Sequence, residues 1–410
     1  MGETLTMRWL WPTRRGWVLG AGAVYLLLTA AMYDSFVVCV FASSAIALGA
    51  ASLVCTLLSL RGLTVRRGPA GAAAAGQLLS LPLVVTNLLN RRRQTFIIRE
   101  HCPFAAVPDV FTLVDALAPR EERVVSRRIL TRRRGGFQQR QIILRGGDPA
   151  GLFYRERVVV LPQSLVITPA TEPLSDIPWR PRPARIATVG SPLSMAGTSQ
   201  ELYGIREHRA ADGLRNIHWK SSARFGRLMV REFERDAVMS VALLIDADAA
   251  HLGGPDDDSN LEYLVRAAAS LVEHLAGLYC QVALAAGGAR QRVIPSAPAS
   301  PAKPVLLYEL AMLKPGPLPL AAAALELAGQ LPRDGAVICL SLSPDAALAG
   351  TLELLASQGM TVRWFCAEPD AFRKPAARRR PPAAVPAPPR FDIVPLRPET
   401  SLAGVLCHGA

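Results

Sequence analysis

The sequence predicts a multi-domain protein: two transmembrane helices, then a β-sandwich, then an α/β domain with a parallel sheet. Three observations predict it. Two long apolar runs stand near the start of the 410-residue chain, short β-branched segments follow them, and strand-like segments then alternate with helical patterns. A chain of this length exceeds one ordinary domain, so each part is long enough to bury a core of its own.

The helical hairpin is predicted for residues 1–62, with spans at about 16–33 and 36–60. Both runs are free of charged residues, and both reach the roughly 20 residues that a helix needs to cross a hydrocarbon layer about 30 Å thick. A signal peptide is the alternative for the first run. The second run follows at once and is long enough to stop transfer, so the pattern favours a hairpin.

The charges beside the two spans predict their orientation. The connection between the spans carries only Asp34, whereas arginines flank the hairpin on both outer sides. These arginines are Arg8, Arg14 and Arg15 before the first span, and Arg61, Arg66 and Arg67 after the second. The positive-inside rule therefore places both termini and the soluble domains in the cytoplasm.

Residues 63–170 predict a β-sandwich. Brief β-branched runs at 81–85, 95–98, 123–125, 141–144 and 157–161 are separated by polar turns. Two antiparallel sheets packed face to face, as in an immunoglobulin-like sandwich, would bury one side of each run. The hexapeptide 148–153 begins with Asp-Pro and has Gly151 where a turn requires positive φ.

The rest of the chain divides into a connector, an α/β domain and a tail. Residues 171–200 are rich in Pro, Ser and Thr and predict a connector. Residues 201–372 alternate apolar strands, the first at 238–246, with helical patterns, the first at 261–278. This alternation predicts a Rossmann-like domain whose parallel sheet is covered on both faces. Residues 373–410 are predicted to form a Pro/Ala/Arg-rich tail.

The net charge of +13 comes almost wholly from arginine. Residues 91–145 concentrate the arginines, but aromatic residues are nearly absent among them, so we predict no nucleic-acid partner. A solvated basic face is the simplest interpretation, and anionic lipid is the nearer partner for a protein held at a membrane. The seven cysteines have neither metal-ligand nor redox spacing, which is typical of reduced cytoplasmic thiols.

A polar cluster stands directly before the first strand of the α/β domain. It begins at Arg206 and ends in Ile-His-Trp-Lys-Ser-Ser-Ala-Arg at residues 217–224. The cluster resembles the signature of a bacterial membrane-anchored family called "domain of unknown function 58", Arg-x-Tyr-x-Pro-Gly-Asp followed by Ile-His-Trp-Lys-x-x-Ala-Arg. His208, Ala210 and Ala211 depart from it. The matching residues are Arg206, Asp212, Ile217, His218, Trp219, Lys220, Ala223 and Arg224.

A second pattern of the same family, Asp-Pro-x-Gly-Leu-Phe, is matched at Asp148, Pro149, Gly151, Leu152 and Phe153, where it predicts a structural turn. The resemblance implies a multi-pass protein of the bacterial inner membrane. It also implies a protein partner, a MoxR-type AAA+ ATPase, with which the chain would act in the assembly or maturation of envelope or secreted components.

The signature admits a structural and a catalytic interpretation. In the structural one, Asp212 caps a short helix, Trp219 anchors it on the sheet, and the basic residues pair with nearby acids. In the catalytic one, His218 and Ser222 at i, i+4 are a base and a nucleophile. Because no oxyanion-hole motif accompanies them, we predict a binding protein. The alternative is a hydrolase using His218 with Asp212 or Ser222, or a divalent metal at Asp246.

The strand at 238–246 ends in Asp246, followed closely by Asp248. Ligands of open α/β sheets bind outside the carboxyl ends of the strands, where carboxylates suit a divalent cation. This half of the chain resembles a von Willebrand factor A domain, whose metal site begins with Asp-x-Ser-x-Ser, but Asp248 and Ala250 stand in place of the two serines. The resemblance implies a degraded Mg²⁺ site with Asp246 and Asp248 as ligands, and no other cofactor.

Overall fold

A computed structural model describes residues 6–175, 186–187, 202–208, 217–235, 239–331, 335–373 and 392–408. The chain divides into two compact units, Met1–Ala170 and Thr171–Ala410. The first unit contains two long helices and antiparallel sheets, and the second contains a large, mainly parallel sheet with helices.

The two predicted apolar helices are present as α1 (Arg14–Tyr33) and α2 (Phe36–Ser59). Both are long and apolar enough to cross a membrane. Few of their residues are buried: Ala23 in α1, and Ala42, Ser52 and Thr56 in α2. Apolar side chains that cover both helices and stay exposed fit a lipid environment better than the core of a soluble domain.

The described residues of the first unit also contain ten strands, which overlap all five predicted runs. They are β1 (Thr6–Pro12), β2 (Leu63–Arg67), β3 (Leu78–Ser80), β4 (Leu83–Asn87), β5 (Phe96–His101), β6 (Asp109–Val114), β7 (Glu122–Val125), β8 (Arg128–Leu130), β9 (Gly135–Gly147) and β10 (Phe153–Ile167). The sheet orders are β1-β10-β9-β5-β6, β2-β4-β7 and β3-β8. Val65 and Val85 of the three-stranded sheet share one buried cluster with Phe96, Ile98 and Ile142 of the larger sheet.

Strand β1 corrects the prediction that residues 1–62 form only the helical hairpin. Residues 6–12 instead pair antiparallel with β10, with Thr6 opposite Val158 and Pro12 opposite Phe153. An edge strand whose partner lies so far along the chain gives no local signal. Since β1 and β10 share a sheet, the segments before α1 and after α2 lie on the same side of any membrane, so both helices cross it or neither does.

A buried ion cluster lies inside the first unit. The carboxylate of Glu100, with a fully buried side chain, contacts Arg67 Nη2 and Arg127 Nη1 at 2.6 Å each. Each arginine also donates from Nε to a backbone carbonyl, Arg67 to Leu161 at 2.8 Å and Arg127 to Leu81 at 3.0 Å. Through Glu100, strand β5 is thus linked to β2 and to the segment before β8.

The second unit carries nine strands and seven α-helices among its described residues. They are β11 (Ile186–Ala187), β12 (Leu202–Glu207), α3 (Trp219–Phe225), β13 (Met229–Arg235), β14 (Met239–Ile245), α4 (Asn260–Ala276), β15 (Cys280–Ala286), β16 (Arg292–Pro298), α5 (Ala299–Met312), α6 (Leu320–Ala328), β17 (Ala336–Ser341), α7 (Ala346–Ser357), β18 (Thr361–Cys366), α8 (Pro369–Phe372), β19 (Ile393–Pro395) and α9 (Leu402–His408).

The main sheet of this unit has the order β16-β15-β14-β17-β18-β19. All its neighbouring strands are parallel except β15 and β16. Helices cover both faces: Leu264 of α4 and Leu306 of α5 belong to one buried cluster, and Leu327 of α6 and Leu352 of α7 to the other. This is the layered arrangement that the continuous apolar strands predict.

The predicted tail, residues 373–410, needs a correction at its end. Strand β19 extends the main sheet beside β18, and Leu402 and Leu406 of α9 are each 1% exposed and belong to the core. Residues 374–391, which carry the Pro/Ala/Arg composition, lie outside the described residues. The prediction extended this composition to the end of the chain and overlooked the short apolar segments that form β19 and α9.

Four buried cysteines are expected to resist alkylation in the folded protein. Burial raises the pKa of Cys102 and Cys366 to about 12 and that of Cys280 to about 11, and it raises the pKa of Cys339 well above its usual value. Only the thiolate reacts. Alkylation near neutral pH, mapped by mass spectrometry, should modify these four sites only after denaturation. Rapid modification of the native protein at any of them would contradict the buried placement.

Candidate functional site

Helix α3 carries the second half of the signature, and His218 is its N-cap residue. The imidazole Nδ1 of His218 accepts a hydrogen bond from the backbone N–H of Ser221 at 3.2 Å and lies 2.8 Å from the Ser221 hydroxyl. This is the geometry of a helix N-cap, in which a side chain satisfies a free N–H of the first turn. Gly226, at φ 64°, ends the helix in the left-handed conformation.

Helix α3 is fixed to strand β13 by backbone hydrogen bonds around Met229. The Ser222 hydroxyl accepts from Met229 N at 2.9 Å and donates to His218 O at 3.0 Å. The His218 N–H donates to Met229 O at 2.7 Å. Ile217, 4% exposed, forms a bridge with Val230. Ile217 and Ser222 therefore hold the segment in place.

The structure contradicts one part of each interpretation of the signature. His218 and Ser222 do not form a base–nucleophile pair, because the Ser222 hydroxyl is bonded to backbone groups and the imidazole contacts Ser221 instead. Trp219 does not anchor the helix, because its side chain is 67% exposed. Asp212 lies outside the described residues, and Arg206 lies in β12.

The exposed surface of α3 forms what we call the docking patch. It combines two aromatic side chains, Trp219 at 67% and Phe225 at 58% exposure, with two cationic ones. Its members are Trp219, Lys220, Ala223, Arg224 and Phe225, all exposed. Phe225 lies outside the recurring pattern, so the pattern did not predict its role. These residues are the exposed part of a short helix whose buried residue, Ser222, is bonded to β13.

The second candidate site lies at the carboxyl ends of β14 and β17. Asp246, 7% exposed, accepts from Asp248 N at 3.1 Å and from Leu342 N at 3.2 Å. Burial raises the pKa of Asp246 above its usual value. The Asp248 carboxylate accepts from Ala250 N at 2.9 Å and lies 3.2 Å from His251 Nδ1. Asp246 thus joins the loops that follow two neighbouring strands.

Residues 313–319, which we call the covering loop, lie over this edge of the sheet. Gly316 N donates to Ala247 O at 3.0 Å, and Gly316 O accepts from Ala249 N at the same distance. Gly288 and Leu318 exchange two backbone hydrogen bonds. A side chain at Gly316 would begin only 2.3 Å from the backbone of Ala289. The covering loop is therefore bonded across the edge of the sheet at which ligands of open α/β sheets bind.

The residues present at this edge do not fit a divalent cation. Mg²⁺ and Ca²⁺ require about six or more oxygen ligands, and no group of three or more His, Cys, Asp or Glu side chains converges among the described residues. Both Asp246 oxygens already bind backbone N–H groups. The carboxylates of Asp246 and Asp248 accept hydrogen bonds from backbone N–H groups of the loops, and we assign no metal-dependent step to them.

The turn of the second pattern, residues 148–153, packs against both apolar helices. The Asp148 carboxylate accepts from Phe153 N at 2.8 Å and Leu152 N at 3.2 Å, and Thr56 of α2 lies 3.4 Å away. Burial opposes the ionisation of Asp148, yet these amide donors keep its pKa below the usual range. Gly151 has φ 67°, which a residue with a side chain rarely adopts. The pattern thus fixes the sheet to the hairpin.

Comparisons with solved structures gave low overall similarity. An aerotolerance-related membrane protein from Bacteroides fragilis, with multiple mutations to serines, is 18% identical, with 32% of this chain and 67% of that chain covered and a TM-score of 0.25. A GH3 β-glucosidase from Bifidobacterium adolescentis is 13% identical, with 28% and 19% covered and a TM-score of 0.17. This chain thus spans under a fifth of that enzyme, and scores this low carry no functional argument.

Comparison with curated proteins gave no match. The family comparison did give one, and its range holds α3, the docking patch, Asp246 and the covering loop. The turn at residues 148–153 lies before that range. Residues 204–362 match the family described as "Protein of unknown function DUF58", so the resemblance inferred from the signature is confirmed for this part of the chain.

Proposed function

We propose that the protein is a membrane-anchored interaction or scaffold protein that presents the docking patch to a protein partner. The observation that carries this proposal is the exposure of Trp219 and Phe225 within the family-matched region. An enzyme uses its polar groups in a cleft. Here the imidazole of His218 caps α3, and the hydroxyl of Ser222 bonds the helix to β13. Aromatic and arginine side chains are the residues that most often dominate protein interfaces.

The finer architecture is part of the proposal. The order β16-β15-β14-β17-β18-β19 supports a Rossmann-like, von Willebrand factor A-like domain, because strands added on either side of β14 give a topological switch point beside it. The core shared by two antiparallel sheets supports an immunoglobulin-like sandwich in the first unit. The arginines beside α1 and α2 support a cytoplasmic location for both units at a bacterial inner membrane.

The partner in this proposal is a MoxR-type AAA+ ATPase, as the family resemblance implies. The docking patch sets the chemistry that such a partner must offer. Trp219 and Phe225 require an apolar surface, and Lys220 and Arg224 require carboxylates beside it. In this arrangement the hairpin holds the complex at the membrane while the pair acts on envelope or secreted components.

The proposal is tested by recovering the native complex. After mild crosslinking, the wild-type chain should copurify from bacterial membranes with an AAA+ ATPase. The double substitution Trp219→Ala and Phe225→Ala should reduce that recovery at least about tenfold, because exposed aromatic anchors contribute about 2 kcal/mol or more each. Tyr279→Ala is the matched control, since Tyr279 is 100% exposed in the same unit. Equal recovery with all three proteins would contradict the patch, and absence of any ATPase would contradict the partner.

A hydrolase remains the second candidate, because 2.8 Å between His218 Nδ1 and Ser221 Oγ is hydrogen-bond distance for a base and a nucleophile. The nucleophile would then be Ser221 rather than Ser222. Nδ1 also accepts the Ser221 N–H, which the cap explains fully. Modification of Ser221 by a fluorophosphonate would favour the hydrolase, and an unmodified Ser221 would favour the interaction protein.

A further inference from the structure

The basic end of α1 borders a shallow groove on the first unit. The groove has a volume of about 350 Å³ and is lined by Arg14, Arg15, Val18, Leu19 and Leu152. Three aliphatic side chains and two arginines line it, and almost all of the exposed lining is carbon, so the arginines contribute their alkyl stems to the groove. A side chain at Gly151 would begin 3.9 Å from Arg15 Nη1, so this guanidinium group lies beside the turn at residues 148–153. A lining of this kind suits a ligand with an apolar body and an anionic head.

The groove is held in shape by hydrogen bonds between the start of α1 and the turn at residues 148–153. The Thr13 hydroxyl donates to Gly151 O at 2.6 Å, and Thr13 N donates to Leu152 O at 2.8 Å. A side chain at Gly16 would begin 2.3 Å from Leu152 O, so the helix and the turn are in direct contact. Leu152 is therefore fixed beside the first turn of α1, and the groove exists before any ligand arrives.

The two arginines are available for a ligand. Arg14 and Arg15 are exposed, and no side-chain hydrogen bond or ion pair engages them within the part of the chain that the structure describes. Asp148, the acidic residue of the adjoining turn, is directed to the amides of Leu152 and Phe153. It therefore leaves the positive charges of Arg14 and Arg15 uncompensated.

The position of the groove favours a lipid over a soluble ligand. Trp17 and Val18 beside it are 69% and 72% exposed, on a helix long and apolar enough to cross a membrane. Tryptophan and arginine at the end of such a helix are typical of the headgroup level of a bilayer. Lipid acyl chains would lie along the helix at this depth, with phosphates beside the arginines.

We propose that this groove binds one anionic phospholipid. Arg14 and Arg15 hold its phosphate, and the part of an acyl chain nearest the headgroup lies on Val18, Leu19 and Leu152. The planar guanidinium groups can donate paired hydrogen bonds to phosphate oxygens. Since Leu152 belongs to the turn that fixes the sheet to α1 and α2, a bound lipid would contact the hairpin and the β domain at once.

The test is a titration of the full-length protein in a neutral detergent with short-chain phosphatidylglycerol, followed by native mass spectrometry. We expect one bound lipid per chain, with weaker binding of phosphatidylcholine. The double substitution Arg14→Gln and Arg15→Gln should raise the apparent Kd about 30-fold. Arg91→Gln with Arg92→Gln is the matched control, because these are also two consecutive exposed arginines, and it should bind as the wild type does.

Three results would overturn the proposal. An equal loss of binding in both double variants would show a general effect of net charge. Equal binding of phosphatidylcholine and phosphatidylglycerol would show that the arginines do not select the headgroup. Competition by soluble glycerol phosphate at the concentrations of the lipid would show a phosphate site that ignores the apolar lining. None of these measurements depends on the docking patch or its partner.

Discussion

Replacing Glu100 by alanine should make the first unit open at least about 100-fold more often than in the wild type. The substitution leaves Arg67 and Arg127 as buried cations without their shared carboxylate. Breaking a buried ion pair by removing one partner costs about 3–5 kcal/mol, and each 1.4 kcal/mol is about a factor of ten. The whole penalty falls on the unit that contains β5, because both arginines lie in it.

Cysteine alkylation in mild urea can measure this opening in each unit separately. Cys102, two residues after Glu100, is fully buried in the first unit, and Cys366 is buried in the second. Glu100→Ala should speed modification of Cys102 and leave Cys366 unchanged. Asp109→Ala is the control. Its partner Arg99 lies on β5 next to Glu100, but the ion pair is exposed, and exposed pairs contribute about 1 kcal/mol at most. Equal effects of the two substitutions would refute a stabilising role for the buried cluster.

Replacing Asp246 by alanine should have the converse effect, speeding modification of Cys366 about 100-fold while Cys102 is unaffected. The carboxylate is the acceptor for the N–H groups of Asp248 and Leu342 at a buried position. Each hydrogen bond to a charged group contributes about 1.5–3 kcal/mol, and the donors that remain have no acceptor. Asp246→Asn keeps one oxygen and the shape of the side chain, so we expect a smaller effect.

The pH dependence of the Asp246 contribution has a definite sign. Burial raises the pKa of Asp246 in the folded protein, so the folded state holds this proton more tightly than the unfolded state. Stability therefore falls as the pH rises between the unfolded and folded pKa values. Lowering the pH from neutral towards that window should stabilise the wild type relative to Asp246→Asn. A constant ratio of Cys366 modification rates between the two proteins at every pH would contradict the shift.

Local patterns in the sequence predicted much of the fold. The apolar runs of α1, α2, β14 and β17 are decided by residues adjacent in the chain, because burial on both faces or contact with lipid requires uninterrupted apolar segments. Strands β1 and β19 were missed because each is an edge strand defined by a distant partner. Their own residues have no periodicity that distinguishes them from a loop.

The sequence marked the segment that forms α3, but it did not predict which side chains of that helix are exposed. The signature predicted a short helix before the strand at 238–246, whereas α3 is bonded to β13 (Met229–Arg235), a strand that was not predicted. Helical spacing alone cannot decide which surface of the helix meets a strand. Ser222 lies against β13 because its hydroxyl accepts from Met229 N of that strand and donates to His218 O at the start of α3. Trp219 is 67% exposed. The covering loop gave no sequence signal, since its contacts with Ala247 and Gly288 are made by backbone atoms.

The pairing of β1 with β10 sets an order of events during synthesis. Strand β1 leaves the ribosome first, but its partner begins about 140 residues later, which at 5–20 residues per second is a delay of roughly 7–28 seconds. Helices α1 and α2 emerge within that interval. The N-terminal segment must therefore wait unpaired beside the membrane until the β domain is complete, and closing that sheet would be among the last steps that lock the hairpin in place.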